Sequence, residues 1–138
     1  MQRNDAARHR IVSYHHWVYK LDSLLAWKSA RKVSRMAYRV TMTGTLSRHY
    51  ELANQIRRAA LSIPANIAEG YGLGTRPQLI RGLRISLGSA YELRRHIRLA
   101  REVRILTPNT TQKVCAECDQ VIRLLIGLLR KLQAKAPE

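Results

Sequence analysis

Leu52, Ile56, Ala59, Ile63 and Ile67 return every three or four residues, and this spacing does most to limit what the chain can fold into. An α-helix turns once in about 3.6 residues, so residues spaced this way line one helix face. The same period appears between Asp22 and Met42, in Ala26, Ala30, Val33, Ala37 and Val40. It appears again after Thr75, in Leu79, Leu83, Leu87, Ala90, Ile97 and Ala100. A fourth stretch, from Thr110 to Leu132, is richer still in apolar residues. Nowhere do apolar and polar residues alternate as in a half-buried strand. Four helices joined by short breaks predict an all-α fold, an antiparallel up-down four-helix bundle.

The breaks have their own chemistry. Thr43, Gly44 and Thr45 end the first helix, and Ser47 is a candidate N-cap for the second, which runs to Glu69. Gly70, Gly72 and Gly74 predict a loop. Thr75 with Gln78 has capping-box spacing, and Pro77 suits a first helical turn. Thr107-Pro108-Asn109 separates the last two helices. Two glycines, Gly82 and Gly88, lie inside the third helix, where each costs about 1 kcal/mol against Ala. Close approach of a neighbouring helix would explain them. In the fourth helix Val121, Ile122, Leu124, Leu125, Ile126, Leu128, Leu129 and Leu132 surround most of the circumference. Such a helix is buried on more than one side, so the reading is a subunit interface, with membrane-surface contact as the weaker alternative.

Charge then narrows the partner. Lys and Arg number 25 against 9 acids, a formal net charge of +16. A compact state with that surplus repels itself unless anions gather on it, and nucleic acid is the commonest such anion. Lys28, Arg31, Lys32, Arg35 and Arg39 share one face of the first helix, and no acid lies between Ser23 and Tyr50. A solvated face normally mixes signs; this one is expected to contact phosphates. The third helix carries Arg81, Arg84, Arg94, Arg95, Arg98, Arg101 and Arg104 against Glu92 and Glu102. Pairing of Glu92 with Arg95, or Glu102 with Arg98, would leave most of these arginines unneutralised. Of the second helix's Arg57 and Arg58, one is expected to pair with an acid near a helix end and Arg58 to sit on the surface. Residues 1–20 are expected to be a basic arm, flexible or weakly helical, before a bundle domain over residues 21–138. Its Tyr14, Trp17 and Tyr19 could stack on unpaired bases or pack on the bundle.

Catalytic and metal chemistry find little support. Cys115 and Cys118 lack the second ligand pair a structural zinc site needs and read as reduced core residues. His15 and His16 are adjacent, and neighbouring side chains rarely converge on one ion, so no metal site is expected there. No phosphate-binding loop, dinucleotide fingerprint or nucleophile elbow is present. The expectation is a non-enzymatic protein without cofactor or metal. No apolar run reaches the roughly 18 residues of a membrane span, and the first residues lack a signal's apolar stretch. The predicted location is cytoplasmic, with no membrane partner.

The stretch SIPANIAEGYG, residues 62–72, sets Pro64 inside a helix. The ring has no N–H for the Ala60 carbonyl and predicts a kink. Asn66 could then donate to the carbonyl left open, and Glu69, beside Gly70, could accept from nearby N–H groups or an Arg. This is a structural motif, since no second catalytic group accompanies the acid. The block ANQIRRAALSIPANIAEGYG, followed by LRISLGSAYELRRHI and preceded by LLAWKSARKVSRMAYRV, resembles the four-helix-bundle family of 23S rRNA intervening-sequence proteins. That resemblance covers roughly residues 21–132. It implies a bundle assembled into a ring, often a pentamer. It also links the chain to the accessory variability determinant proteins of diversity-generating retroelements, which partner a reverse transcriptase and its RNA. The function expected is an oligomeric nucleic-acid-binding accessory protein, with RNA as the ligand. The alternative is a scaffold that meets the ribosome or an acidic protein without touching nucleic acid.

Overall fold

The computed structural model describes residues 24–134. Four helices account for most of them: α1, Leu24–Val40; α2, Tyr50–Gly72; α3, Arg76–Glu102; and α4, Pro108–Ala134. A single 3-10 turn, Thr45–Arg48, sits between α1 and α2, and no strand occurs among the described residues. Each helix packs on two others, α1 and α3 both lying against α2 and α4, so the cross-section is a square with α1 and α3 on one diagonal. Partners advance along one helix as they retreat along the next. Gly70 meets Leu79, Asn66 meets Gly82, Ile63 meets Ser86 and Ser62 meets Ser89. α2 and α3 are therefore antiparallel. The basic arm, residues 1–20, lies outside the described residues.

The expected stripes form the core. Ile56, Ile63 and Ile67 of α2 meet Leu79, Leu83, Leu93 and Ile97 of α3 and Leu125, Leu128 and Leu132 of α4, all buried. α1 adds Ala26, Ala30, Val33 and Ala37, which have no exposed surface. Small side chains let α1 sit close to its neighbours. Full burial of a Leu or Ile side chain stabilises by about 1.5–3 kcal/mol, so this layer dominates stability.

The apolar circumference of α4 has an explanation within one chain. Val121, Ile122, Leu125, Leu128, Leu129 and Leu132 are all buried within one chain, and Leu124 and Ile126 are half-buried against the same core. Contacts from both α1 and α3 cover more of α4's circumference than a single packing face would. The helix needs no second copy to hide it. No helix among the described residues is long and apolar enough to cross a membrane.

Local signals are met unevenly. Gln78 N–H donates to Thr75 Oγ1 at 3.3 Å, and Pro77 stands in the first turn of α3. Ser47 does not cap α2; its hydroxyl donates to the Gly44 carbonyl inside the 3-10 turn, and His49 takes the N-cap position. Thr107 caps α4 through Thr110 N–H at 3.2 Å, so Pro108 opens the helix instead of interrupting the chain. Gly70 and Gly72 belong to α2, and only Gly74, at φ +78°, takes the left-handed turn.

Pro64 sits within an unbroken α2. Asn66 Nδ2 donates to the Ser62 carbonyl at 2.8 Å, not to that of Ala60. It also donates to Ser62 Oγ, which shares a 2.7 Å hydrogen bond with Ser89 Oγ. Ser86 Oγ donates to the Ile63 carbonyl at 2.7 Å. Side chains of α3 thus satisfy carbonyl and hydroxyl groups beside the proline, which ties this stretch of α2 to α3. Glu69 is exposed, with no side-chain hydrogen bond or ion pair among the described residues.

The two glycines inside α3 have different reasons. A Cβ on Gly82 would stand 2.5 Å from the Asn66 carbonyl oxygen, so close helix approach explains it. A Cβ on Gly88 would meet nothing within 4 Å. Gly88→Ala is therefore expected to stabilise the fold by about 0.5–1 kcal/mol, because Ala gains helix propensity without a clash. Thermal denaturation checks this; a lower melting temperature would show that Gly88 has an unseen packing role.

Candidate nucleic-acid interface

The expected basic stripe of α1 is on the surface. Lys28, Arg31, Lys32, Arg35 and Arg39 are all exposed, opposite the buried Ala26, Ala30, Val33 and Ala37. Lys28, Arg35 and Arg39 have no ion pair among the described residues. The Arg31 guanidinium lies 4.9 Å from the centre of the Trp27 ring. Lys32 differs from the rest: its Nζ is 2.8 Å from Glu117 Oε1 on α4. With Lys32 56% exposed, that pair contributes at most about 1 kcal/mol.

On α3, Arg84, Arg95, Arg98 and Arg101 are exposed. Neither expected internal pairing occurs among the described residues: Glu92 Oε1 meets His96 Nε2 at 3.2 Å instead, and Glu102 has no ion pair. Arg94 does pair, with Asp119 of α4 at 2.6 Å, and its guanidinium lies 5.1 Å from the centre of the Tyr91 ring. Arg57 pairs with no acid among the described residues. It donates from Nε to Thr41 Oγ1 at 2.7 Å and stacks 5.0 Å from the Tyr38 ring centre, while Arg58 is exposed as expected.

α4 adds what sequence reading missed. Its outer edge shows Lys113, Arg123 and Arg130, all exposed, in the position between α1 and α3. Its two acids, Glu117 and Asp119, are the residues that hold Lys32 and Arg94. Exposed cations without an acidic partner among the described residues therefore stand on α1, α4 and α3 alike. The signal was present in the spacing of Lys113, Arg123 and Arg130, which fall on one side of a helix, but the surrounding leucines masked it.

The side over α2 has a different chemistry. There Tyr38, Leu52, Leu61, His96 and Leu99 border an open depression of about 850 Å³, with Glu51, Asn54, Gln55 and Arg58. Leu61 is 53% exposed and Leu99 44%.

Neither thiol is poised for chemistry. Burial pushes Cys118 up to about 12 and raises Cys115 as well, although Arg98 pulls Cys115 back. Both stay protonated near neutral pH, and a thiol, unlike a thiolate, is a poor nucleophile and metal ligand. Among the described residues no three His, Cys, Asp or Glu side chains gather where they could hold a metal ion.

The model of the 23S rRNA-intervening sequence protein family matches residues 22–127 of the 138. The chain belongs to this family. The match spans the basic stripe of α1, all of the α3 arginines, and Lys113 and Arg123 of α4; Arg130 lies beyond it. A crystal structure from Bacteroides thetaiotaomicron, of a protein with unknown function from the S23 ribosomal protein family, superposes with a TM-score of 0.73. The two sequences are 20% identical, and the alignment covers 80% of this chain and 99% of the other, a likeness that shows the fold alone. Among curated proteins none matches the chain.

Proposed function

We propose that this chain is a non-enzymatic nucleic-acid-binding protein that grips the phosphate backbone with the continuous cationic surface of α1, α4 and α3. One observation carries this reading: both acids of α4 are engaged by Lys32 and Arg94, while Lys28, Arg35, Arg39, Arg95 and Arg98 face solvent without an acidic partner among the described residues. Rows of unpaired cations release counterions when they meet phosphates, which is the main source of sequence-independent affinity. RNA is the ligand we assign, following the rRNA in the family's description. The resemblance to retroelement accessory proteins adds a reverse transcriptase as the protein that would share this RNA. Mixing the full chain with a short RNA in dilute buffer tests the reading. A retarded complex on a native gel is expected, and free RNA at all protein concentrations would contradict it.

The expected assembly of copies has its own supporting observation, the depression over α2. Exposed Tyr38, Leu61 and Leu99 border it, and Glu51 accompanies Arg58 there. On a chain with net charge +16 this is the side where another copy can approach without opposing cationic rows. We assign it to contact between copies, in a closed assembly such as the pentameric ring that the resemblance implies. Light scattering is expected to give a multiple of the 15.9 kDa chain mass, and Leu61→Arg to shift it to the monomer. A wild-type monomer, or an assembly indifferent to Leu61→Arg, would remove this assignment.

A further inference from the structure

Tyr91 stands on the outward side of α3, 39% exposed, away from the buried Leu93 and Ile97. Helical spacing sets it in one row with Arg84, Gly88, Arg95 and Arg98. Arg94, one turn on, lays its guanidinium 5.1 Å from the ring centre, and Asp119 of α4 anchors that guanidinium at 2.6 Å. One face of the ring is thus occupied by a fixed cation, and the phenolic hydroxyl makes no hydrogen bond among the described residues. Beside it, Gly88 leaves the helix backbone bare, with nothing within 4 Å of where a Cβ would be. Helix packing does not explain that glycine.

We propose that the outward side of α3 around Tyr91 is a stacking site for single-stranded nucleic acid. An unpaired base lies against the Tyr91 ring above the bare backbone at Gly88, and Arg84, Arg95 and Arg98 hold the flanking phosphates. The inference rests on the nucleic-acid reading above and adds the form of the ligand. A base inside a duplex is stacked on its neighbours and cannot offer its face to the ring, whereas every unpaired base has one free. Clamping of the ring through Asp119 and Arg94 lowers the ordering loss on binding, as preorganised contacts do. The site discriminates by strandedness and not by sequence, because a ring face reads no base edge.

The test compares two fluorescein-labelled probes, a single strand of about 16 nucleotides and the same strand annealed in a duplex, titrated with the full chain. Tyr91→Ala is expected to weaken single-strand binding by at least about fivefold and to leave duplex binding unchanged. Tyr91→Phe, which keeps the ring, is expected to retain wild-type affinity for both probes. The matched duplex titration also reports whether the Tyr91→Ala protein is folded. If wild type binds both probes but Tyr91→Ala affects neither, or both equally, the stacking site is wrong and phosphate binding stands. If wild type binds neither probe, the nucleic-acid reading fails and takes the site with it.

Discussion

Gly82→Ala is expected to destabilise the fold by about 3 kcal/mol. The added Cβ would stand 2.5 Å from the Asn66 carbonyl oxygen and 3.0 Å from the Gly70 Cα. Both are backbone atoms of α2, so no rotamer change can relieve the clash. The helices must part. Separation stretches the Ser86 bond to the Ile63 carbonyl and the Ser62–Ser89 pair, both 2.7 Å across the same interface. Ala gains about 1 kcal/mol in helix propensity over Gly, so the clash has to exceed that before any loss is seen. A buried hydrogen-bonded network that is half broken is worse than none, which pushes the balance towards loss. At several degrees per kcal/mol for a domain of this size, the melting temperature should fall by roughly 10 °C. Circular dichroism on Gly82→Ala and Gly88→Ala side by side gives opposite expected signs from the same chemical change. Equal behaviour of the two would mean that α2 and α3 do not approach as described.

The second large effect concerns binding. Lys28→Gln, Arg35→Gln and Arg39→Gln together are expected to weaken nucleic-acid affinity by about two to three orders of magnitude at about 50 mM salt. Each phosphate neutralised contributes a counterion-release term that grows as salt falls, so three lost contacts multiply. Lys32 is left in place because it pairs with Glu117; its removal would bare an acid inside the cationic surface and confuse charge loss with charge reversal. All three replaced residues are exposed and unpaired among the described residues, so stability should change by no more than about 0.5 kcal/mol each. Arg58→Gln, on the side over α2, is the matching control and should leave affinity almost unchanged. A loss from Arg58→Gln of about one third of the triple variant's, in log units, would mean that net charge, not the α1 surface, governs binding.

The fold was legible because helical periodicity is a property of neighbours in sequence. Ile56, Ile63 and Ile67, or Leu79 and Leu83, announce a buried face before any partner is known. Thr75 and Pro77 were equally readable, since a cap is local. Misreadings arose where a tertiary partner decided the outcome. Gly70 looked like loop because three glycines alternate, yet it lies in α2 where an added Cβ would stand 3.3 Å from the Leu79 Cα of α3. α4 looked too apolar for one chain because the sequence does not show that α1 and α3 both cover it. The candidate site was half legible. A stripe such as Lys28, Arg35 and Arg39 is visible from spacing, but its freedom depends on where the acids end up. Glu117 and Asp119, distant in sequence, neutralise Lys32 and Arg94 and leave the others exposed.

The central claim is that unpaired cations on α1, α4 and α3 meet a phosphate backbone. It is tested most directly by the slope of log affinity against log salt for the full chain on an RNA duplex, between about 50 and about 200 mM. Five or more phosphates engaged at once give a slope of about −4 or steeper, a loss of several hundredfold over that range. A slope near zero, with binding retained, would show that the surface does not work through phosphates.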